Sequence, residues 1–269
     1  MVDRKGGDSM KTKDLDLQPL PLRRDAIYQL IKDEGVVRVN DLSERLKVTS
    51  MTIRRDLETL ERDGLVERVH GGAVATNRGL RDPLFTQKSI LHQKEKDAIA
   101  SVAANLVEDC DTIFINSGST TLRIFRDIKA KQVKVITNNA CFPMEDMPSG
   151  LEIISTGGIF RRESFTLIGE TATQTITNIY ASKSFIGLDG LSVPYGLTTP
   201  VQAEAQVNRL MIEHTRGPVI VVADSSKIGR VSSFFVASVS VVSKLITDKF
   251  ISDEDRRSFE QIGIEVLIC

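Results

Sequence analysis

Residues 48–73 read VTSMTIRRDLETLERDGLVERVHGGA. Thr49 is the kind of residue that caps a helix. From Ser50 onward Ile53, Leu57 and Leu60 recur at the spacing of one buried helical stripe, with Gly64 as the stop just beyond Arg62. Upstream, Ile27, Leu30 and Ile31 mark a shorter helix that Gly35 would end, and the β-prone Val36, Val37, Arg38 and Val39 follow. Asn40 or Asp41 is the expected cap of a second helix carrying Leu42 and Leu46; with Asp41 as cap, Glu44 completes a capping box. Only Lys47 and Val48 then separate the second helix from Thr49, which makes the pair a helix-turn-helix candidate. Downstream, two β-prone segments between Leu65 and Val74 flank His70, Gly71 and Gly72 and form the hairpin expected of a wing.

A recognition helix enters the major groove with its N-terminal turn leading. There Arg bonds guanine in pairs, Thr reaches a base edge or phosphate, and free backbone amides favour phosphate. Ser50, Thr52, Arg54 and Arg55 are placed for those roles. The same pattern also describes a solvated face on a protein that never meets DNA. Residues 21–76 carry ten basic and ten acidic side chains, so net charge does not separate the two readings.

From about Asp97 buried-strand patterns alternate with helix-length segments: Thr112–Ile115, Val133–Thr137, Leu151–Ile154, Ser184–Ile186, Pro218–Ala223, Leu245–Thr247 and Ile264–Ile268. Such alternation predicts a largely parallel sheet covered by helices, with ligands at the carboxyl ends of its strands. Ser117, Gly118, Ser119, Thr120 and Thr121 follow the first strand and open a helix, an arrangement suited to phosphate. Its plainer reading is a strand-to-helix turn with capping hydroxyls. Asn138 follows the second strand, and Lys227 adds a positive charge after a strand ending at Asp224. Asp189 and Glu204 are candidates to accept hydrogen bonds from sugar hydroxyls, and Asn208 shares a helical face with Glu204.

Residues 48–73 closely resemble the winged helix-turn-helix signature of DeoR-family bacterial transcription factors, above all in TIRRDL (52–57) and RVHGGA (68–73). The resemblance continues through INSGSTT, TNN, TGG, FIGLDG, GLTT, EAQVNRLMI and ADSSK, and covers about residues 21–250. It implies operator binding by the third helix, capped by Thr49 and with Thr52, Arg54 and Arg55 facing DNA. Arg68 and His70 would lie near the DNA backbone or minor groove. The remainder would be a Rossmann-like three-layer α/β/α sensor domain, similar in fold to ribose-5-phosphate isomerase and glucosamine-6-phosphate deaminase. Its effector would be a phosphorylated sugar or related metabolite. Where the family often has Asp and Lys this chain has Asn116 and Asn208, which removes one positive charge and implies a less anionic or differently oriented effector.

The expected layout is an α/β chain with a mobile extension over 1–20, the winged helix-turn-helix over 21–76, a linker over 77–96 and the sensor over 97–269. The expected partners are double-stranded operator DNA, a phosphorylated sugar and further copies of the chain, because helix-turn-helix proteins read paired half-sites. An isomerase or deaminase with an appended DNA-binding module, using Asp189 or Glu204 as base, is the competing reading. Against it, His70, His92 and His214 are scattered and no catalytic or metal-ligating constellation stands out, so neither cofactor nor metal is implied. With 269 residues, 41% of them hydrophobic, and a net charge of −1, the composition excludes disordered and fibrous classes. Three distant cysteines, no long apolar run and no secretory pattern at the start predict a cytoplasmic protein.

Overall fold

A computed structural model describes residues 20–34, 36–62, 65–69, 71–75, 85–142 and 148–269. The chain divides into two compact units, residues 1–78 and 79–269.

The smaller unit runs α1 (Leu20–Glu34), β1 (Val36–Arg38), α2 (Val39–Leu46), α3 (Ser50–Arg62), β2 (Val66–Val69) and β3 (Gly72–Ala75). Its core joins Ile27 and Ile31 of α1 to Val37, Leu42, Ile53, Leu57, Leu60, Val66 and Ala73. The stripe along α3 is therefore the buried one, as its spacing demands. Asp56, on the same helix, is buried and takes hydrogen bonds from Arg23 Nε at 2.6 Å and Arg24 Nε at 3.1 Å, tying α1 to α3. Thr49 does cap α3: its Oγ1 accepts from the Thr52 amide at 3.2 Å.

The expected cap of α2 is wrong. The helix starts at Val39, with extended Arg38 before it and no side-chain cap, and Asn40 and Asp41 fall inside its first turn. Burial decides this, since Val37 and Val39 both enter the core and the chain must leave β1 directly into a helix. The Val39 amide is satisfied instead by the Gly71 carbonyl at 2.9 Å. The antiparallel sheet has the order β1-β3-β2. Gly72 has no alternative there, because a Cβ would lie 2.1 Å from the Val37 carbonyl oxygen. Gly35, Gly64 and His70, each given a role by the sequence, lie outside the described residues, as do residues 1–19 of the extension expected over 1–20.

The larger unit continues with α4 (Phe85–Ile90), α5 (Gln93–Ala104), β4 (Thr112–Ile115), α6 (Thr121–Asp127), β5 (Val133–Thr137), β6 (Leu151–Ser155), β7 (Ile159–Arg161), β8 (Thr166–Ile168), α7 (Glu170–Thr177) and β9 (Lys183–Ile186). Then come β10 (Gly190–Ser192), β11 (Gly196–Thr199), α8 (Gln202–Glu213), β12 (Val219–Val222), β13 (Phe234–Ala237), β14 (Lys244–Thr247), α9 (Asp253–Gln261) and β15 (Glu265–Ile268). Within the stretch 77–96 read as a linker, residues 85–90 form α4 and residues 93–96 the first turn of α5, with Phe85 and Lys96 buried.

Seven strands make one parallel sheet in the order β15-β14-β12-β9-β4-β5-β6. Its faces are both covered, which is why these strands read as apolar runs and not as alternations. On one side α5 and α6 pack Ile99, Ala103, Ile124 and Phe125 against Ile113, Ile115 and Phe185. On the other, α7, α8 and α9 bring Ile176, Met211 and Phe259 onto a core containing Phe114, Ile136 and Val221. The result is the doubly wound, three-layer α/β/α fold expected. The chain builds outward from β4 through β5 to β6, then resumes at β9 on the other side of β4, so the topological switch point lies between β4 and β9. A separate antiparallel sheet, β10-β11-β13, and the β7-β8 hairpin complete the unit.

Candidate functional site

In the smaller unit, Arg54 and Arg55 of α3 line a surface groove together with Met51, Glu58, Arg68 of β2 and Gly71. Both α3 arginines are exposed, as are Thr49 and Arg68, while Ser50 and Thr52 are half-buried. Helix and hairpin thus contribute cations to one concave face. Arg68 is not unengaged: its Nη1 donates to Glu58 Oε1 at 3.1 Å, and its amide donates to Glu61. That pair is exposed, hence worth well under 1 kcal/mol, and yields readily to phosphate.

In the larger unit a pocket opens where the fold makes it easiest, at the carboxyl ends of β4, β9 and β12 beside the switch point. Ser117, Gly118, Ser119 and Thr120 line it from β4, Asp189 from β9, Asp224 and Lys227 from β12, and Glu204 and Asn208 from α8. Of the residues singled out in the sequence, two do not face it. Thr121 is fully buried and its Oγ1 donates to the Asn116 carbonyl at 2.7 Å, locking the turn from behind. Asn138 spends its Oδ1 on the Ser117 amide at 2.7 Å and its Nδ2 on the Leu167 carbonyl. Both shape the turn and neither is open to a ligand. The amides of Gly118, Ser119 and Thr120 have no partner among the described residues.

The two asparagine departures prove to be one feature. Asn116 Nδ2 donates to Asn208 Oδ1 at 3.0 Å and to the Gly187 carbonyl, and Asn116 Oδ1 accepts from the Gly187 amide. This amide pair is neutral, and the pocket's positive charge comes from elsewhere in the lining. Moreover, two further cations line the pocket. Lys88 of α4 donates to Asp189 Oδ1 at 2.7 Å, and Lys96 of α5 lies almost wholly buried at the pocket wall. Ser164 and Thr166 also line it. Ser164 donates to Glu204 Oε1 at 2.5 Å, with Arg161 at 3.4 Å from the same oxygen.

The ionisable groups are strongly conditioned by this setting. Burial alone would raise Asp189, but Lys88 and Lys227 hold it below the usual carboxylate range. The same opposition, with Lys227 and Lys96 as the cations, lowers Asp224. Burial depresses Lys227 despite both aspartates, and it brings Lys96 down to about 8 against the pull of Asp224. Three lysines and three acidic side chains therefore face a small space with hydroxyls and open amides. That is chemistry for gripping a polar anion.

Lys88, Lys96, Ser164 and Thr166 had no recognisable signal in the sequence. Lys96 sits in a run with Lys94 and Glu95 that resembles any solvated helix start, and only the fold brings α4, α5 and the β7-β8 hairpin to the strand ends.

Comparison with known families agrees with the division into two units. The DeoR-like helix-turn-helix domain matches residues 23–78, and the DeoR C-terminal sensor domain matches residues 91–249. The HTH-type transcriptional regulator GlpR of Haloferax volcanii is 34% identical, over 91% of this chain and 96% of its own. The lactose phosphotransferase system repressor of Staphylococcus epidermidis is 28% identical over 91% and 98%. Among solved structures, ribose 5-phosphate isomerase from Plasmodium falciparum is similar over 49% of this chain and 52% of its own, at 16% identity and a TM-score of 0.35.

Proposed function

The chain belongs to the DeoR family of transcriptional regulators, and on that premise we propose that it represses a carbohydrate-utilisation operon under the control of a phosphorylated sugar or related metabolite. In this reading α3 and the β2-β3 wing grip operator DNA through Arg54, Arg55 and Arg68, with Ser50 and Thr52 at the leading turn. The metabolite lies in the strand-end pocket, its phosphate on the Gly118–Thr120 amides and Lys227, and its hydroxyls toward Glu204 and Asn208. The observation that carries this is the pocket itself, three lysines and open amides gathered at the switch point of a doubly wound sheet. The relative named as a lactose phosphotransferase system repressor supports the carbohydrate connection. Two-fold pairing of half-sites supports a dimer or tetramer.

Binding without turnover is the reading favoured for the pocket. Asp189 and Glu204, the carboxylates a proton-transfer reaction would use, are engaged by Lys88 and Thr199 and by Ser164 and Arg161 respectively. Asp189 is moreover held below the usual carboxylate range by Lys88 and Lys227, the opposite of what a base working near neutrality needs. A thermal-shift screen of the full chain against phosphorylated sugars tests the proposal. A true effector raises the melting temperature in proportion to the logarithm of its concentration, and Lys227→Met abolishes that rise. No stabilisation by any phosphorylated sugar, or conversion of one followed by NMR, overturns it.

A further inference from the structure

Helix α4 is the first described element after residues 76–84, the stretch of chain that leads from the smaller unit into the larger. One ion pair and several charge-assisted hydrogen bonds help attach it to the larger unit, and two of the lysines involved, Lys88 and Lys96, also line the pocket. Lys88 reaches across to Asp189 at the end of β9, with both side chains 18% exposed. The other Asp189 oxygen accepts from Thr199 Oγ1 at 3.2 Å. Lys96 Nζ donates to the carbonyls of Lys88 and Leu91, and Arg123 of α6 donates to the Ser89 carbonyl at 2.9 Å. Two cations thus sit on the carbonyl end of α4, where the helix dipole favours them. The apolar anchor is Phe85, whose ring lies 5.4 Å from that of Phe165.

We propose that the Lys88–Asp189 ion pair is a latch holding α4 against the pocket, and that an anion entering the pocket opens it by taking Lys88 from Asp189. This rests on the reading of the pocket as an anion site. The anion meets Asp189 as a like charge and Lys88, Lys96 and Lys227 as opposite ones. Asp189 already has Lys227 as a second cation close by, so after the exchange neither carboxylate nor anion is left uncompensated. A ligand shifts a conformational equilibrium only by contacts that differ between the two states, and the change of partner at Lys88 is such a contact. It acts on the element from which the chain departs toward the smaller unit.

Hydrogen–deuterium exchange on the full chain, with inorganic phosphate as the probe, decides the matter. Without any ligand, Asp189→Asn and Lys88→Met each speed amide exchange in residues 85–90 by about tenfold, while β4 and β9 keep wild-type protection. Added phosphate produces the same acceleration in wild type. In Lys88→Met phosphate binds more weakly for want of that cation, and at concentrations raised until the melting temperature shows the site filled through Lys96 and Lys227 it leaves exchange in α4 unchanged. Wild-type protection of α4 in both ligand-free variants overturns the latch, and so does an equal phosphate response in wild type and Lys88→Met. If phosphate fails to stabilise wild type, the anion site falls and the opening step with it. The ligand-free comparison then still decides whether the ion pair holds α4.

Discussion

At the scale of single residues, Lys96 gives the pocket a measurable signature. Its ammonium is almost wholly buried, and burial lowers its pKa from 10.5 to about 8 although Asp224 pulls the other way. Between those values the unfolded chain holds a proton that the folded chain has released, so stability rises with pH across that window. Below about 8 the cost of burying the charge is present in full, and above 10.5 it is gone. From pH 7 to about pH 9.5 the gain is about 2 kcal/mol. Lys183 works in the opposite direction, its pKa raised by Asp111 and Glu108 against burial, and its contribution is lost only at still higher pH. Comparison with Lys96→Met cancels Lys183 and all other shared groups. Urea unfolding of both proteins in phosphate-free buffer should show wild type gaining that amount on the variant over this pH range. A difference that stays constant with pH would remove the buried ammonium from the account.

At the scale of elements, α3 is the piece whose role follows most directly from its residues. Its apolar stripe is used up by the core, and Asp56 is used up by Arg23 and Arg24. What remains outward at the leading turn is Thr52, Arg54 and Arg55. Arg55→Ala therefore leaves the core and the Asp56 tie intact and weakens specific operator binding by about 1–3 kcal/mol for each base that the guanidinium reads. Arg68→Ala, on the wing, weakens binding to all sequences alike and reduces the salt dependence by about one unit of slope. Gel shift against operator and scrambled duplex at several salt concentrations separates the two, and equal weakening on both duplexes for Arg55→Ala would contradict base readout.

The same elements show what could be read from the sequence. The central strands of the parallel sheet were legible because burial on both faces makes them mostly apolar, as in β4, β9 and β12, and the turn after β4 because glycine and hydroxyls at a strand end stand out. The short strands of the β7-β8 hairpin and of the β10-β11-β13 sheet, three or four residues each, offer no period to detect. Residue preferences misplace the start of α2 because capping propensity is a local signal and the burial of Val39 is not. Lys88 is silent for a related reason: its partner is 101 residues away in sequence, and nothing in a lone surface-type lysine foretells that.

At the scale of the whole molecule, two sites on separate units influence each other only through a free energy of coupling, and that quantity has a symmetry the individual sites lack. If a phosphorylated sugar changes operator affinity by some factor, operator DNA must change the affinity for that sugar by the same factor, typically about 5- to 150-fold. The latch supplies a physical carrier, because removing it takes away the exchange of partners by which one site is felt at the other. In Lys88→Met operator affinity measured without sugar should already take the value that saturating sugar gives wild type, sugar affinity should fall because the pocket has lost one of its cations, and the coupling factor should collapse toward one. Titration calorimetry of the sugar in the presence and absence of saturating operator gives one side of the cycle, and gel shifts with and without saturating sugar give the other. Disagreement between the two sides in wild type would mean that a further equilibrium, such as assembly of copies, is linked to the same binding. Persistence of the full coupling in Lys88→Met would place its carrier elsewhere in the pocket wall, with the Arg161–Glu204–Ser164 cluster as the nearest alternative, since it joins β7 to α8 at the same cavity.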